Sequence, residues 1–320
     1  MDDIYKQIHD IGIVPILSLN LAKNAAPLAK ALCKGGLPIA EALYRTEADH
    51  DILTEIKRTC PEMLIGAGDV FTKELADSAL DAGAAFISVR GFDPEIILYC
   101  QNRNIPVIPE VSNTEEIESA RDLGLEVLKY CFAGDPGGIR TIQALSAIYP
   151  KIKFIPVGDI NESNLGEYLN EPYILACGGT WMIDEEAISA NDYEKIEELT
   201  RSSVNAMLGF SIKHIGINEE DEDGAVLANK FAKLFGGKVR VITKGWYGSE
   251  FVEIMSQKFK TGKHGHIGIS VNNPNRARKY YEALGYSFDE STAMYDENGN
   301  LQFIYLNDEL GGFALHILKK

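Results

Sequence analysis

Residues 125–134 read LEVLKYCFAG. The stretch is apolar on both sides of Lys129, and nothing nearby is placed to neutralise it. It reads as a buried strand with an ammonium in its middle. Burying a charged lysine is costly, and the usual consequence is a lowered pKa that leaves the amine neutral and nucleophilic. The alternative is a strand-end lysine whose stem is buried while its tip reaches water. The rest of the chain has to decide.

Outward from Lys129, short apolar runs alternate with amphipathic stretches over the first 208 residues. The runs are GIVPILSL (12–19), LPIAEALY (37–44), LIGAGDV (64–70), AAFISVR (84–90), PVIPEV (106–111), VLKYCF (127–132), KFIPVGD (153–159) and YILACGG (173–179). Between them lie segments such as APLAKALCKGG and TKELADSALDAG, which close on glycine as helix C-termini do. Continuous apolar strands joined by helices indicate a parallel sheet. Eight units predict an α/β fold of the (β/α)8 TIM-barrel type, with a doubly wound open sheet as the weaker alternative. Chemistry in such a barrel sits at the C-terminal strand ends. The residues to read are therefore Glu41, Arg45, Asp69, Arg90, Glu110, Lys129, Asp159 and the Gly178-Gly179-Thr180 turn.

Strands two and six of an eight-stranded barrel lie on opposite walls, so Glu41 and Lys129 can both face the cavity. A neutral lysine attacks a ketone to give an iminium, an electron sink that weakens the bond one carbon away. A carboxylate such as Glu41 suits the proton transfers, and Arg45 suits an acidic substrate. The competing reading is a Glu41–Lys129 salt bridge that merely fills the barrel.

The 320 residues are too many for one ordinary core, which makes two domains the default. A formal net charge of −16 argues against nucleic acid or an anionic membrane surface as a partner. No apolar run is long enough to span a bilayer, and MDDIYKQIHD lacks the pattern of a signal peptide. The five cysteines are isolated in sequence, which fits a reduced cytoplasm.

GGLPIAEALYRT (35–46), IGAGDV (65–70), PVIPEVS (106–112), LKYCFAGDPGGIRTIQAL (128–145), FIPVGDI (154–160) and ILACGGTWM (174–182) resemble the strand-end motifs of the 2-keto-3-deoxy-6-phosphogluconate / 4-hydroxy-2-oxoglutarate aldolase family. The resemblance implies Lys129 as the Schiff-base lysine, Glu41 as acid/base, Arg45 as carboxylate anchor, no cofactor for the aldolase step, and a homotrimer. The chain departs from that pattern in several places. Asp69 stands where the family has threonine, Arg90 where it has proline, and Phe132 where it has proline. Asp159 replaces a glycine of the phosphate cradle, of which Gly178-Gly179-Thr180 is the other half. An aspartate there would repel a phosphate dianion by about 1–4 kcal/mol.

Residues 209–320 repeat themselves. HIGI occurs at 214–217 and again at 266–269, each copy followed by a helix-like segment and strand-like runs. The order predicts paired βαβββ modules, a smaller α+β domain after the barrel. It resembles the vicinal-oxygen-chelate superfamily of glyoxalase relatives, whose metal ligands come from the first and last strands of each module. That resemblance nominates His214, Glu253, His266 and His316 for a divalent metal (Zn, Ni, Mn or Fe). His264 rivals His266, because alternation puts both on one strand face.

The expectation is a cytoplasmic two-domain protein, an aldolase-like barrel over 1–208 and a glyoxalase-like domain over 209–320. It is a lyase that cleaves a 2-keto-4-hydroxy acid to pyruvate and an aldehyde. Two other readings stand beside it: a metal-dependent isomerase, lyase or oxygenase with a lapsed barrel, and a non-catalytic sugar-acid-binding protein.

Overall fold

The computed structural model describes residues 3–18, 24–131, 138–219, 223–256 and 261–320. The chain divides into two compact units, Met1–Met207 and Leu208–Lys320. No helix among the described residues is long and apolar enough to cross a membrane.

In the first unit every apolar run becomes a strand: β1 (Ile13–Ser18), β2 (Ile39–Leu43), β3 (Leu64–Val70), β4 (Phe86–Val89), β5 (Val107–Val111), β6 (Val127–Tyr130), β7 (Lys153–Pro156) and β8 (Cys177–Gly179). From β1 to β7 each strand pairs in parallel with the next, and β1 also pairs with β8. Bridges Phe154–Ile174 and Val157–Gly178 bring the remaining edges together, so the sheet is a nearly closed barrel. Helix starts follow from local chemistry. Thr72, Asp93 and Asn113 each accept a backbone N–H from the first turn of the helix they precede.

One end of the barrel is packed shut. Val14, Ile39, Leu64, Phe86, Ile108, Val127, Ile155 and Leu175 form its interior with Ile8, contributed by the Asp3–Ile11 helix. Tyr5 from the same helix donates its hydroxyl to the Val107 carbonyl at 3.0 Å and accepts from its N–H at 3.1 Å. This floor leaves the C-terminal strand ends as the face for chemistry.

The second unit is one mixed sheet ordered β10-β11-β12-β9-β13-β16-β15-β14. One half holds β9 (Ser211–Asn218), the helix Gly224–Leu234, β10 (Arg240–Ile242), β11 (Gly245–Tyr247) and β12 (Val252–Met255). The other holds β13 (Gly265–Val271), the helix Pro274–Ala283, β14 (Phe288–Tyr295), β15 (Leu301–Leu310) and β16 (Phe313–Lys319). In both halves the last strand pairs in parallel with the first. The halves join through the antiparallel β9–β13 pair, so the two HIGI copies lie side by side.

Candidate active site and candidate metal centre

Glu41 on β2 and Lys129 on β6 form an ion pair across the barrel, both almost wholly buried. Register explains the approach. Ile16, Glu41 and Gly66 are paired on one wall, and Glu110, Lys129 and Ile155 on the other. Gly68 makes room for the carboxylate, since a Cβ there would strike Glu41 Oε1.

The electrostatics correct the sequence expectation of a neutral amine. Burial does push the Lys129 pKa down, but the Glu41 carboxylate outweighs it by charge and hydrogen bond, with Cys131 and Glu110 adding to it, and the net shift is upward. The Glu41 contact therefore favours the charged form of Lys129, which donates a hydrogen bond to the carboxylate. Glu110, a strand-end residue by sequence, pairs in register with Lys129 on the neighbouring strand.

Above the pair, Arg45 is held by its loop. Asp49 Oδ2 accepts from the N–H groups of Arg45 and Thr46, each at 2.8 Å. The Arg45 guanidinium donates from Nε and Nη2 to Asp69 Oδ2 at 2.9 and 2.6 Å. Arg90 Nη1 lies 3.9 Å from the same oxygen. Asp159 is exposed, with a left-handed φ of 41°, a conformation that favours the glycine of the family pattern. Gly178 and Gly179 are buried, and side chains there would meet Val157 and the Trp181 ring, so packing alone requires glycine at both. Thr180 is exposed. Phe132 lies outside the described residues.

In the second unit, His214 on β9, His266 on β13 and His316 on β16 bring their Nε2 atoms together, with His214 at 3.0 Å from His266 and 3.2 Å from His316. Glu253 Oε2 on β12 lies 3.6 Å from His214 Nε2 and 3.4 Å from His266 Nε2. All four are buried. The repeated phrase explains the convergence. His266 and Glu253 pair with Gly216, and His214 and His316 pair with Gly268. A Cβ on Gly268 would lie 2.7 Å from His214 Cε1 and 2.8 Å from His316 Nε2. The glycine of each HIGI thus makes space for rings carried by neighbouring strands, a role the sequence reading missed.

Burial and the neighbouring imidazoles push His316 down to about 2 and His214 below its usual value. Both shifts favour the unprotonated ring, the form that can coordinate a metal. His316 Nδ1 is buried without a hydrogen-bond partner. Tyr247, on β11, hydrogen-bonds Glu253 and helps hold its pKa low against burial, a group without a sequence signal. His264 is exposed against the Phe313 ring and stands apart from the cluster. Alternation fails there because β13 begins at Gly265, whose φ of 134° interrupts the extended backbone.

Sequence spacing also hid a contact in the first unit. Cys33, Cys60 and Glu62 bring their donor atoms within 4.8 Å of one another, and burial pushes the Cys33 thiol up to about 12.

Residues 4–199 match the family model "KDPG and KHG aldolase". The chain belongs to that family. It is 34% identical over 204 residues to 2-dehydro-3-deoxy-phosphogluconate aldolase of Treponema pallidum, covering 64% of this chain and 97% of the relative. The Haemophilus influenzae enzyme of the same name is 35% identical over 202 residues, covering 63% and 95%. Among solved structures, KDPG aldolase from Legionella pneumophila, with pyruvate captured as a covalent carbinolamine, superposes with a TM-score of 0.60 at 32% identity, covering 63% and 98%. Family membership makes the first unit an aldolase, an enzyme of the aldehyde-lyase class. The match ends before the second unit begins.

Proposed function

We propose that the barrel cleaves an unphosphorylated 2-keto-4-hydroxy acid to pyruvate and an aldehyde through an iminium on Lys129. The buried Glu41–Lys129 pair carries this reading, because one proton can move between a nucleophile and its acid/base without solvent. Lys129 passes a proton to Glu41, and the free amine adds to the C2 carbonyl. Glu41 returns the proton as the carbinolamine loses water, which leaves the iminium. The carboxylate then removes the C4 hydroxyl proton, and the C3–C4 bond breaks to release the aldehyde. Its electron pair becomes an enamine, which Glu41 protonates at C3, and water hydrolyses the resulting iminium to pyruvate. Borohydride with pyruvate tests this directly, by fixing a reduced adduct on the peptide that contains Lys129. A panel of 2-keto acids giving no adduct would sink the reading.

Two predictions concern the groups around the pair. Gly68→Ala should displace the Glu41 carboxylate and lower kcat by about tenfold or more, since a misplacement of about 1 Å costs on the order of 10²-fold. Steady-state kinetics beside a melting curve would check it, and an unchanged kcat would show that Glu41 tolerates the methyl. Asp159→Gly removes a carboxylate from the cradle position. It should improve cleavage of a 6-phosphorylated substrate by about tenfold, equivalent to ~1.4 kcal/mol of relieved repulsion, with short keto acids unaffected. A wild type that already prefers the phosphorylated substrate contradicts the proposal.

A second reading applies to the second unit, where the three imidazoles and Glu253 favour a divalent metal. The donor set fits: three buried, convergent imidazole nitrogens and one buried carboxylate beside them. His214, Glu253, His266 and His316 would hold the ion, Tyr247 orients the carboxylate, and Gly216 and Gly268 keep the rings in register. Such an ion supplies Lewis acidity toward an oxygen of an oxo-compound. The module order supports a glyoxalase-like domain acting on a compound related to the barrel's substrate.

A further inference from the structure

Three charged side chains stand at consecutive strand ends of the barrel mouth: Arg45 beyond β2, Asp69 near the end of β3 and Arg90 beyond β4. They sit just above the reactive pair, since Gly68, next to Asp69, lies against Glu41. Asp69 has φ 57°, a left-handed backbone costing on the order of 1–3 kcal/mol for a residue with a side chain. Its carboxylate is mostly covered, at 18% exposure, whereas Arg45 and Arg90 are 48% and 64% exposed.

The two arginines are not equivalent. Arg45 spends both Nε and Nη2 on Asp69 Oδ2, so one edge of its fork is closed to any other anion. Arg90, at 3.9 Å, feels the same charge but makes no hydrogen bond to it. Taken by themselves, these two guanidiniums and one carboxylate carry a net charge of +1, the complement of a single carboxylate. A phosphate dianion would remain only partly compensated. Asp69 therefore leaves the charge of the anchor at that of one arginine and changes which arginine has its donors open.

We propose that Arg90 binds the carboxylate of the 2-keto acid, and that Asp69 is the positioning residue that ties up Arg45 and leaves it a supporting role. The inference rests on the aldolase reading for the identity of the substrate, but carboxylate binding can be measured without the chemistry. Calorimetric titration of the full chain with pyruvate reads the anchor, and borohydride trapping with acetone, a ketone with no carboxylate, reads the lysine.

Arg90→Ala should weaken pyruvate binding at least tenfold and leave acetone trapping on Lys129 unchanged. Asp69→Asn releases Arg45, and should bind pyruvate as tightly as the wild type or more so. In the Asp69→Asn background, Arg90→Ala should then cost less than about threefold, because Arg45 can replace it. The proposal is overturned if Arg90→Ala binds within twofold of wild type, or if its loss is the same in both backgrounds. It is also overturned if acetone trapping falls in parallel, which marks a structural effect, or if wild type binds no pyruvate. Normal pyruvate binding with no trapped adduct would instead remove the iminium mechanism and leave the anchor in place.

Discussion

Glu41→Gln should leave a borohydride-trapped pyruvate adduct on Lys129 while slowing turnover by about 10²–10⁴-fold, the usual loss on removing a general acid/base. The two readouts separate because Glu41 has two effects. Its charge holds Lys129 protonated, against the burial that pushes the other way. Replacing it with a neutral amide leaves burial, the largest single influence, opposed only by the weaker pull of Cys131 and Glu110, so the Lys129 pKa should fall. Adduct formation should then extend to lower pH than in the wild type, where the ammonium must first be relieved of its proton. Cleavage still fails, because nothing remains to take the C4 hydroxyl proton. Lys129→Ala, by contrast, should abolish both adduct and turnover. It also strands a buried carboxylate, a change worth roughly 3–5 kcal/mol of stability, so its melting curve has to accompany the assay. An adduct that survives Lys129→Ala, or Glu41→Gln at wild-type kcat, would contradict the assignment.

The second large effect belongs to the other unit. Protein purified without chelator or affinity tag should carry about one divalent ion per chain, and His214→Ala/His266→Ala should carry none. Loading with Zn, Ni, Mn or Fe at a hundredfold excess over Kd should stabilise the wild type by about 2.7 kcal/mol and leave the double variant unmoved. Gly268→Ala sharpens the test, because it touches no donor atom yet crowds two of the rings. It should weaken affinity about 10–100-fold, as loss of a supporting residue does. His264→Ala, outside the cluster, should bind as wild type. A wild type that takes up no more metal than the double variant, whichever ion is offered, would leave the four residues as a polar core.

Much of this protein is written locally. The strand pattern from Ile13 to Gly179 was legible because a buried parallel strand must be apolar on both faces and its helix must end, so short runs and glycines mark every unit. The HIGI repeat likewise predicted two modules, since each copy lies in the first strand of its module. Lys129, Glu41 and Arg45 were legible as residue types out of place at strand ends.

The protonation of Lys129 was not, because it depends on a carboxylate 88 positions away that register carries across the barrel. Arg45 read as an open anchor for the same reason, its bond to Asp69 arising only when β2 and β3 pair. His264 and His266 were indistinguishable by alternation until Gly265 broke the strand. Nothing in the repeat itself marked Gly216 and Gly268, although each is the space into which a histidine from another strand fits. Periodicity and turn chemistry act over a few residues, and sequence alone therefore determined the elements and their order. Ionisation, ligand convergence and steric room are set by side chains that meet from distant strands. Only the tertiary structure could decide them.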